Sequence, residues 1–478
     1  MQLVQQDPAV SDDTIAENRT FAEIELGESA SLSRRLTKTE LEGFAAVSGD
    51  CNPTHLNEAY ARARGLRAPV AHGMWTASLI SNLLGNRLPG AGTVYLGQEL
   101  RFRAPVFLGD TVTATVTVAR KDPGTRTVRL DCRCTNRQGE EVLSGVAEVT
   151  APATREAISL IERPTFSVQT HDVYEELMRR AGAIPAIPCM VAYPCDEGSL
   201  RGAVEAADAG LIEPTLVGPA RKLEQVAAEH GVALAGRAIV DVPDSHAAAA
   251  KAVELVRAGK AELLMKGSLH TDELLSAVVA KDTGLRTGRR ISHVFIMVVP
   301  TYAEPLLVTD AAVNIAPDLK TKVDIVQNAI DLALGLGMEQ PRVAVLSAVE
   351  TINLEIATTC EAAILSKMAD RGQIKGGVID GPFALDNAIS PAAARIKGIT
   401  SPVAGRANIL LVPNLEAGNM LAKNLSFLAN ADAAGIVLGA RVPIILTSRA
   451  DTVRTRLASC AVAALYAHAR RRTAGQER

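Results

Sequence analysis

The chain has 478 residues, 47% hydrophobic and 22% charged, a length and balance that ask for two or three globular domains with sizeable cores. A net charge of −3 gives no field to draw in nucleic acid or an anionic membrane, and a single Trp offers little for base stacking. Residues 1–20 show no basic segment followed by an apolar run, and the longest apolar runs, such as Val294 to Val299, are far too short to span a bilayer. The expected compartment is therefore the cytoplasm. Seven scattered cysteines form no CxxC pair, so neither a metal centre nor a disulfide framework is expected.

In chain order, the first informative stretch is "SGDCNPTHLNEAYARARG", Ser48 to Gly65. It sets Asp50, Asn52, Pro53 and His55 within six residues. Pro53 disfavours helical geometry at Asn52 and favours a turn. A turn of this kind can bring an acid and an imidazole to one water, the pairing that general acid–base chemistry needs. On spacing alone, the plainer reading is that Asp50 and Asn52 cap a helix and His55 lies on the surface. "AHG" (Ala71 to Gly73) then precedes a helix over Met74–Leu84, expected to be buried nearly all round because it carries no charge. Backbone N–H groups at such a helix start would polarise a carbonyl oxygen.

From Thr111 the pattern alternates with period two: "TVTATVTV", then "TVRLDCRC" with Val128, Leu130, Cys132 and Cys134 on one face, then "EVLSGVAEV". The "KDPGT" and "NRQGE" turns between them indicate an antiparallel sheet with one wet face. One helix gripped by a curved antiparallel sheet is the expected first domain, α+β, over residues 1–165. The join, Ala151 to Gln169, has two prolines and no strong period.

Beyond it, over residues 166–478, amphipathic stretches such as His246 to Ala261 and Thr321 to Gly337 alternate with short, continuous apolar runs. This is the signature of an α/β fold with a mostly parallel sheet covered on both faces. The runs end at Lys266-Gly267, Asp310, Ser347, Asp380-Gly381, Asn414 and Ser448-Arg449. Ligands of open α/β sheets bind beyond the carboxyl ends of strands, so these ends are the candidate site. Ser448 and Arg449 suit phosphate, since Arg presents a planar fork to its oxygens. Asp451 is a candidate base for a thiol proton. The competing reading of each strand-end residue is a helix cap. There is no GxxxxGK[ST], and "GLG" at Gly335 to Gly337 is not a full dinucleotide fingerprint, so neither ATP nor NAD is expected.

Two resemblances add to these readings. "SGDCNPTHLNEAYA", "APVAHGMW" and "LRFRAPVFLGDTVTATVTV" resemble the MaoC-like, R-specific enoyl-CoA hydratases over about Thr37–Thr150. The resemblance implies a hot-dog fold, Asp50 and His55 as the hydratase diad, Asn52 beside them at the substrate, and the Gly73 N–H as oxyanion donor. Many members carry Asp two residues after the histidine, where this chain has Asn57. "ELLMKGSLHTDELLSAVVAKDTGLRTGRRISHVFIM", "VTDAAVNIAPDL", "VAVLSAVETIN", "VIDGPFALDNAIS", "SPVAGRANILLVPNLEAGNMLAKNL" and "ILTSRADT" resemble the phosphate acetyl/butyryltransferase family, its butyryl-type branch more closely, from Tyr174 to the end. This second resemblance implies two isopropylmalate-dehydrogenase-like α/β subdomains around a cleft. By it, Ser448 and Arg449 are the family's Ser-Arg pair. Lys266, Arg286, Ser292, Asp310, Asn314, Asp380 and Gly381 match family positions expected to line the cleft or hold phosphate and pantetheine.

The reading that follows is a bifunctional acyl-CoA enzyme, a hydratase fused to a phosphate acyltransferase. CoA thioesters and inorganic phosphate are its substrates, no cofactor is tightly bound, and a homo-oligomer built from dimers is expected. Two alternatives stay open: a phosphate acyltransferase whose hot-dog domain only oligomerises or senses acyl-CoA, and a non-catalytic CoA-binding regulatory module.

Overall fold

The computed structural model describes residues 15–159, 172–234, 236–447 and 451–476. The chain divides into two compact units, Met1–Gln169 and Thr170–Arg478.

The first unit begins with β1 (Ile15–Glu17) and β2 (Ser29–Arg35), followed by helices α1 (Lys38–Ser48), α2 (Pro53–Leu56), α3 (Glu58–Ala63) and α4 (Gly73–Asn86). Strands β3 (Val94–Phe102), β4 (Thr111–Asp122), β5 (Thr127–Asn136) and β6 (Glu141–Thr150) come next, and β7 (Ala157–Ser159) returns to pair with β1. The main sheet is five-stranded and antiparallel, in the order β2-β4-β5-β6-β3. The alternation in the sequence is the alternation of burial: Val128, Leu130, Cys132 and Cys134 are buried, and Arg129, Asp131 and Arg133 are exposed. The inner face closes on α4 through Leu79, Ile80, Leu83 and Leu84, each fully or almost fully buried. Each such side chain contributes about 1.5–3 kcal/mol of apolar transfer energy. This is the hot-dog arrangement. One expectation changes: α4 is not buried all round. Met74, Ser78, Ser81 and Gly85 form an exposed stripe at helical spacing, so the uncharged face of this helix is polar rather than core.

The second unit carries strands β8 (Ile187–Ala192), β9 (Ile212–Gly218), β10 (Ala238–Asp241), β11 (Leu263–Lys266), β12 (Ser292–Val298), β13 (Leu306–Thr309), β14 (Arg342–Leu346), β15 (Val378–Phe383), β16 (Ile409–Leu411), β17 (Asp432–Leu438) and β18 (Ile444–Ile445). Among the described residues they form one sheet in the order β10-β9-β8-β11-β18-β17-β12-β13-β16-β14-β15. The pairings β10 to β18 are parallel, as are those from β13 to β15. Between these two parallel blocks, β17 and β12 run antiparallel to their neighbours. The sheet is thus mostly parallel, with an antiparallel seam joining its two subdomains. Helices cover both faces. Leu319–Gly335 and Ala357–Asp370 pack on one, Leu415–Phe427 on the other. The two prominent helical stretches of the sequence are the helices Ser245–Arg257 and Leu319–Gly335, each capped by the Asp before it.

Candidate active sites

In the first unit, a Thr37/Glu40 capping box starts α1, and Gly49, at φ 75°, ends it in a left-handed turn. The loop that follows is knitted by its own side chains. The Asp50 N–H donates to Ser48 Oγ at 3.2 Å, the Asn52 N–H to Asp50 Oδ1 at 3.2 Å, and the Thr54 N–H to Asn52 Oδ1 at 3.1 Å. Pro53 then takes the first position of α2, where its missing N–H has no use in the helix. Asn52 is therefore a helix cap, with its oxygen also bonded to Thr54 Oγ1 at 2.9 Å. Asn57, which stands where many relatives have Asp, caps α3 through the Tyr60 N–H at 2.9 Å.

The capping expected of this stretch is present, but His55 is not a surface residue: the same turn sets its ring beside Asp50. His55 Nδ1 lies 2.8 Å from the Val70 carbonyl, which accepts only, so Nδ1 carries the proton and Nε2 keeps a lone pair. That Nε2 lies 3.8 Å from Asp50 Oδ2. The His55 side chain is 14% exposed and that of Asp50 54% exposed, so the imidazole is held while the carboxylate meets solvent. Beneath them sits a residue the sequence did not single out. His72 is buried, its ring stacks on His55 at 3.8 Å and 27°, and Nε2–H donates to the Asp50 carbonyl at 2.9 Å. Its Nδ1 has no hydrogen-bond partner among the described residues. Only its place before Gly73 marked it in the sequence. One residue on, Gly73 opens α4 with no side-chain cap, leaving first-turn N–H groups uncapped. A Cβ at Gly73 would meet the Phe102 ring at 3.0 Å, so the backbone comes close to β3 at this point.

Asp50, His55 and His72 bring potential ligand atoms within 4.8 Å of one another. The donor chemistry does not suit a chelate. The two rings stack face to face, and each gives one nitrogen to a backbone carbonyl. What remains is the His55 Nε2 lone pair opposite the Asp50 carboxylate, a set for moving protons, with the His72 Nδ1 lone pair buried beside it.

In the second unit, the predicted residues fall into separate groups. Ser448 and Arg449 lie outside the described residues. The residue before them, Thr447, lies two positions beyond β18, whose parallel neighbour β11 ends at Lys266. Lys266 is buried and its Nζ donates to the Gly267 carbonyl at 3.2 Å. Gly267 is required there: a Cβ would meet the Tyr193 carbonyl at 2.4 Å. Asp451 is half-buried, just before the C-terminal helix Val453–Gln476. Sequence reasoning missed Arg456 on that helix. It is buried, donates from Nη1 to Thr447 Oγ1 at 2.9 Å, and lies across Gly202, where a Cβ would meet its Cδ at 2.9 Å.

Asp310, Asn314 and Ser292 form a second group at the seam. Asp310 is 2% exposed and its carboxylate accepts the N–H groups of Ala312, Val313 and Asn314 at 3.0–3.1 Å, with the Asn314 amide at 2.5 Å. Burial pushes its carboxyl above the ordinary range, against the pull of those donors. The Asn314 amide also donates to the Ile291 carbonyl at 2.9 Å, next to Ser292, whose hydroxyl accepts from Asn328 at 2.9 Å. Arg286 is exposed and bridges Ala440 through its backbone. Asp380 and Gly381 stand apart, on the edge strand β15, with the Asp380 carboxylate turned back on the Gly381 N–H at 2.8 Å. No described hydrogen bond links them to the other candidates.

A hot-dog unit with a facing acid–imidazole pair, followed by a two-lobed α/β unit with an antiparallel seam, defines a fusion of a MaoC-type domain with a phosphotransacylase-type domain. Family models agree: residues 21–136 match "MaoC like domain" and residues 244–464 match "Phosphate acetyl/butaryl transferase". A phosphate acetyltransferase of Rhizobium meliloti is 67% identical over 301 residues, 63% of this chain and 95% of that one. The crystal structure of a branched-chain phosphotransacylase from Enterococcus faecalis V583 is 30% identical with a TM-score of 0.53, covering 59% of this chain and 99% of that one. The R-hydratase PhaJ1 of Pseudomonas aeruginosa is 41% identical over 32% of this chain and 99% of that one, with a TM-score of 0.32. The chain belongs to the phosphate acetyl/butyryltransferase family and carries a MaoC-like domain ahead of it.

Proposed function

We propose that the chain catalyses two reactions of acyl-CoA thioesters. The second unit transfers an acyl group reversibly between CoA and inorganic phosphate. The first adds water across a 2-enoyl-CoA. The hydratase reading is carried by one observation: His55, its tautomer set by Val70, presents Nε2 to Asp50 above an uncapped helix start. Nε2 takes a proton from water as the water oxygen bonds to the β-carbon. The C=C electron pair moves toward the thioester oxygen, where the N–H groups at Gly73 and the helix dipole offset the growing charge. A proton returns to the α-carbon, so that H and OH are added in sum. The transferase reading rests on family membership and on the Ser448-Arg449 pair, whose guanidinium would bind phosphate while Asp451 takes the thiol proton.

The test uses purified full-length protein with acetyl-CoA or butyryl-CoA, with and without inorganic phosphate, and follows free thiol. Thiol release that requires phosphate and is lost in Arg449→Ala is the expected result. Release with neither acyl-CoA would leave the second unit as a binding module. No helix among the described residues is long and apolar enough to cross a membrane.

We further propose that the first unit pairs with a second copy along β3. This edge strand has one neighbour, β6, and exposes Val94, Leu96 and Phe102 at 53–57%. An open apolar edge is a template for strand pairing. A Leu96→Lys substitution, on the exposed edge, is expected to shift sedimentation toward a smaller species. An unchanged sedimentation coefficient would place the interface elsewhere. Among the described residues no helix-packing role competes for Leu96, which lies outside the buried cluster.

A further inference from the structure

The second unit holds a cavity of about 400 Å³ that no candidate reaction residue lines. It lies between the loop before β12, the β17–β18 turn, and the helices Leu319–Gly335 and Val453–Gln476, with Thr287, Arg289, Asn328, Asp331, Tyr466 and Arg470 among its walls. Two guanidinium groups, of Arg289 and Arg470, and one carboxylate, of Asp331, line it. Asp331 is held by Arg289 at 2.5 Å, while Arg470 donates to the Arg441 carbonyl at 3.0 Å and has no carboxylate partner among the described residues. Arg286, Arg290 and Arg441 stand exposed nearby in sequence and fold, adding to the positive field. Opposite the charges, Leu438, Val442 and Pro443 supply an apolar wall.

Tyr466 is built in rather than incidental. A Cβ at Gly335 would meet its ring at 2.7 Å, so the helix beneath gives way to seat it. Burial pushes its phenol above the usual range, which keeps the hydroxyl a donor at neutral pH. That hydroxyl has no hydrogen-bond partner among the described residues. The cavity is also remote from Thr447 and Val453, the described residues at the end of β18 and the start of the C-terminal helix. The C-terminal helix starts at Val453 and reaches Tyr466 thirteen residues later, about 20 Å at 1.5 Å per residue. β18 likewise begins next to Pro443 and ends toward Thr447, so the cavity sits at the opposite end of that strand.

We propose that this cavity is a second ligand site, separate from the acyl-transfer centre, that binds an organic phosphate of mononucleotide size. The arginines take the phosphate, bidentate geometry favouring it over a single carboxylate. The Tyr466 ring and the apolar wall take the organic body. The volume falls within the range of small-molecule sites, about 300–1,000 Å³, and exceeds what a bare anion fills.

Isothermal titration of the full-length protein with ADP, with 3′,5′-ADP and with inorganic phosphate tests the assignment. Saturable binding of a nucleotide is expected, with phosphate alone weaker. Tighter 3′,5′-ADP would mark the nucleotide end of a CoA as the ligand, and tighter ADP a free nucleotide. Gly288 lines the cavity with open space around it, so Gly288→Leu fills the site without touching a charge. That variant and the Arg289→Gln/Arg470→Gln pair should each weaken binding at least about tenfold, about 1.4 kcal/mol. Tyr466→Phe, which keeps the ring, guards against an unfolded arginine variant and should weaken binding severalfold. The proposal is overturned if neither nucleotide binds, if phosphate alone binds as tightly, or if Gly288→Leu leaves binding unchanged. It is equally overturned if the variants raise the KM for acyl-CoA by the factor that they weaken nucleotide binding, since the cavity would then belong to the reaction centre.

Discussion

Replacing Asp50 with Asn is expected to lower crotonyl-CoA hydration by about 10²–10⁴-fold, the usual worth of a positioned acid–base group. Phosphate-dependent thiol release by the second unit should stay at the wild-type rate. The substitution is clean because the loop uses other atoms of residue 50. Its carbonyl accepts from His72, its N–H donates to Ser48, and an amide oxygen can still accept from the Asn52 N–H. What is lost is the carboxylate charge facing His55 Nε2 at 3.8 Å. A matched melting temperature would show that the loss is chemical. The readout is absorbance of the enoyl thioester, with wild type and D50N assayed in parallel. Hydration at the wild-type rate in D50N would remove the acid from the mechanism. An inactive wild type with intact acyl transfer would favour a hot-dog domain that assembles or senses.

The contrast between what could be read and what could not follows from the range of the interactions involved. Period two in "TVRLDCRC" is a local property of a half-buried strand, and Val128 to Cys134 bury on the face it marks. The closeness of Asp50 and His55 was legible because the two lie five residues apart around one turn, and turn chemistry is local. His72 was not, because its work depends on α4 docking under a loop that ends seventeen residues earlier. Arg456 was hidden for a similar reason: its partner Thr447 is close in sequence, but its berth is made by Gly202 on a distant helix. The polar stripe of α4 was written in Ser78 and Ser81, yet the lack of charge suggested full burial. Strand direction has no period at all. "DAAGIVLGARVPIIL" reads as two apolar runs, and only pairing shows β17 reversing against β12 and β18. The place of Asp310 at a strand end suggests a ligand-facing residue, and its local bonding is not visible in the sequence. Its carboxylate closes its own turn with four donors, and through Asn314 it holds the entry to β12.

That seam carries the second large expected effect, a loss of stability in mild acid set by His293. The residue follows Ser292 in β12 and is 1% exposed. Its Nδ1 has no hydrogen-bond partner among the described residues, and its ring meets Phe295 edge-on at 4.3 Å. A Cβ at Gly435 on the paired strand would come within 3.1 Å of Nε2, so β17 also closes over the ring. Among the described residues no carboxylate pairs with it, and burial alone pushes its pKa down to about 3 from 6.5. The unfolded chain therefore binds a proton that the folded chain refuses. Stability must fall as pH drops below the unfolded value, and it keeps falling until the folded value is reached. Two units below 6.5, near pH 4.5, the loss from this residue is about 2.7 kcal/mol at 1.36 kcal/mol per unit. A His293→Met variant, of similar bulk and without a titrating group, should lack this term. Denaturant melts of both proteins at pH 7 and pH 4.5 cancel every other acid-sensitive group in the difference. The difference should move toward the variant by about 2–3 kcal/mol on acidification. A difference that stays constant across that range would mean that the folded seam accepts the proton, and that water or a carbonyl reaches His293 in solution.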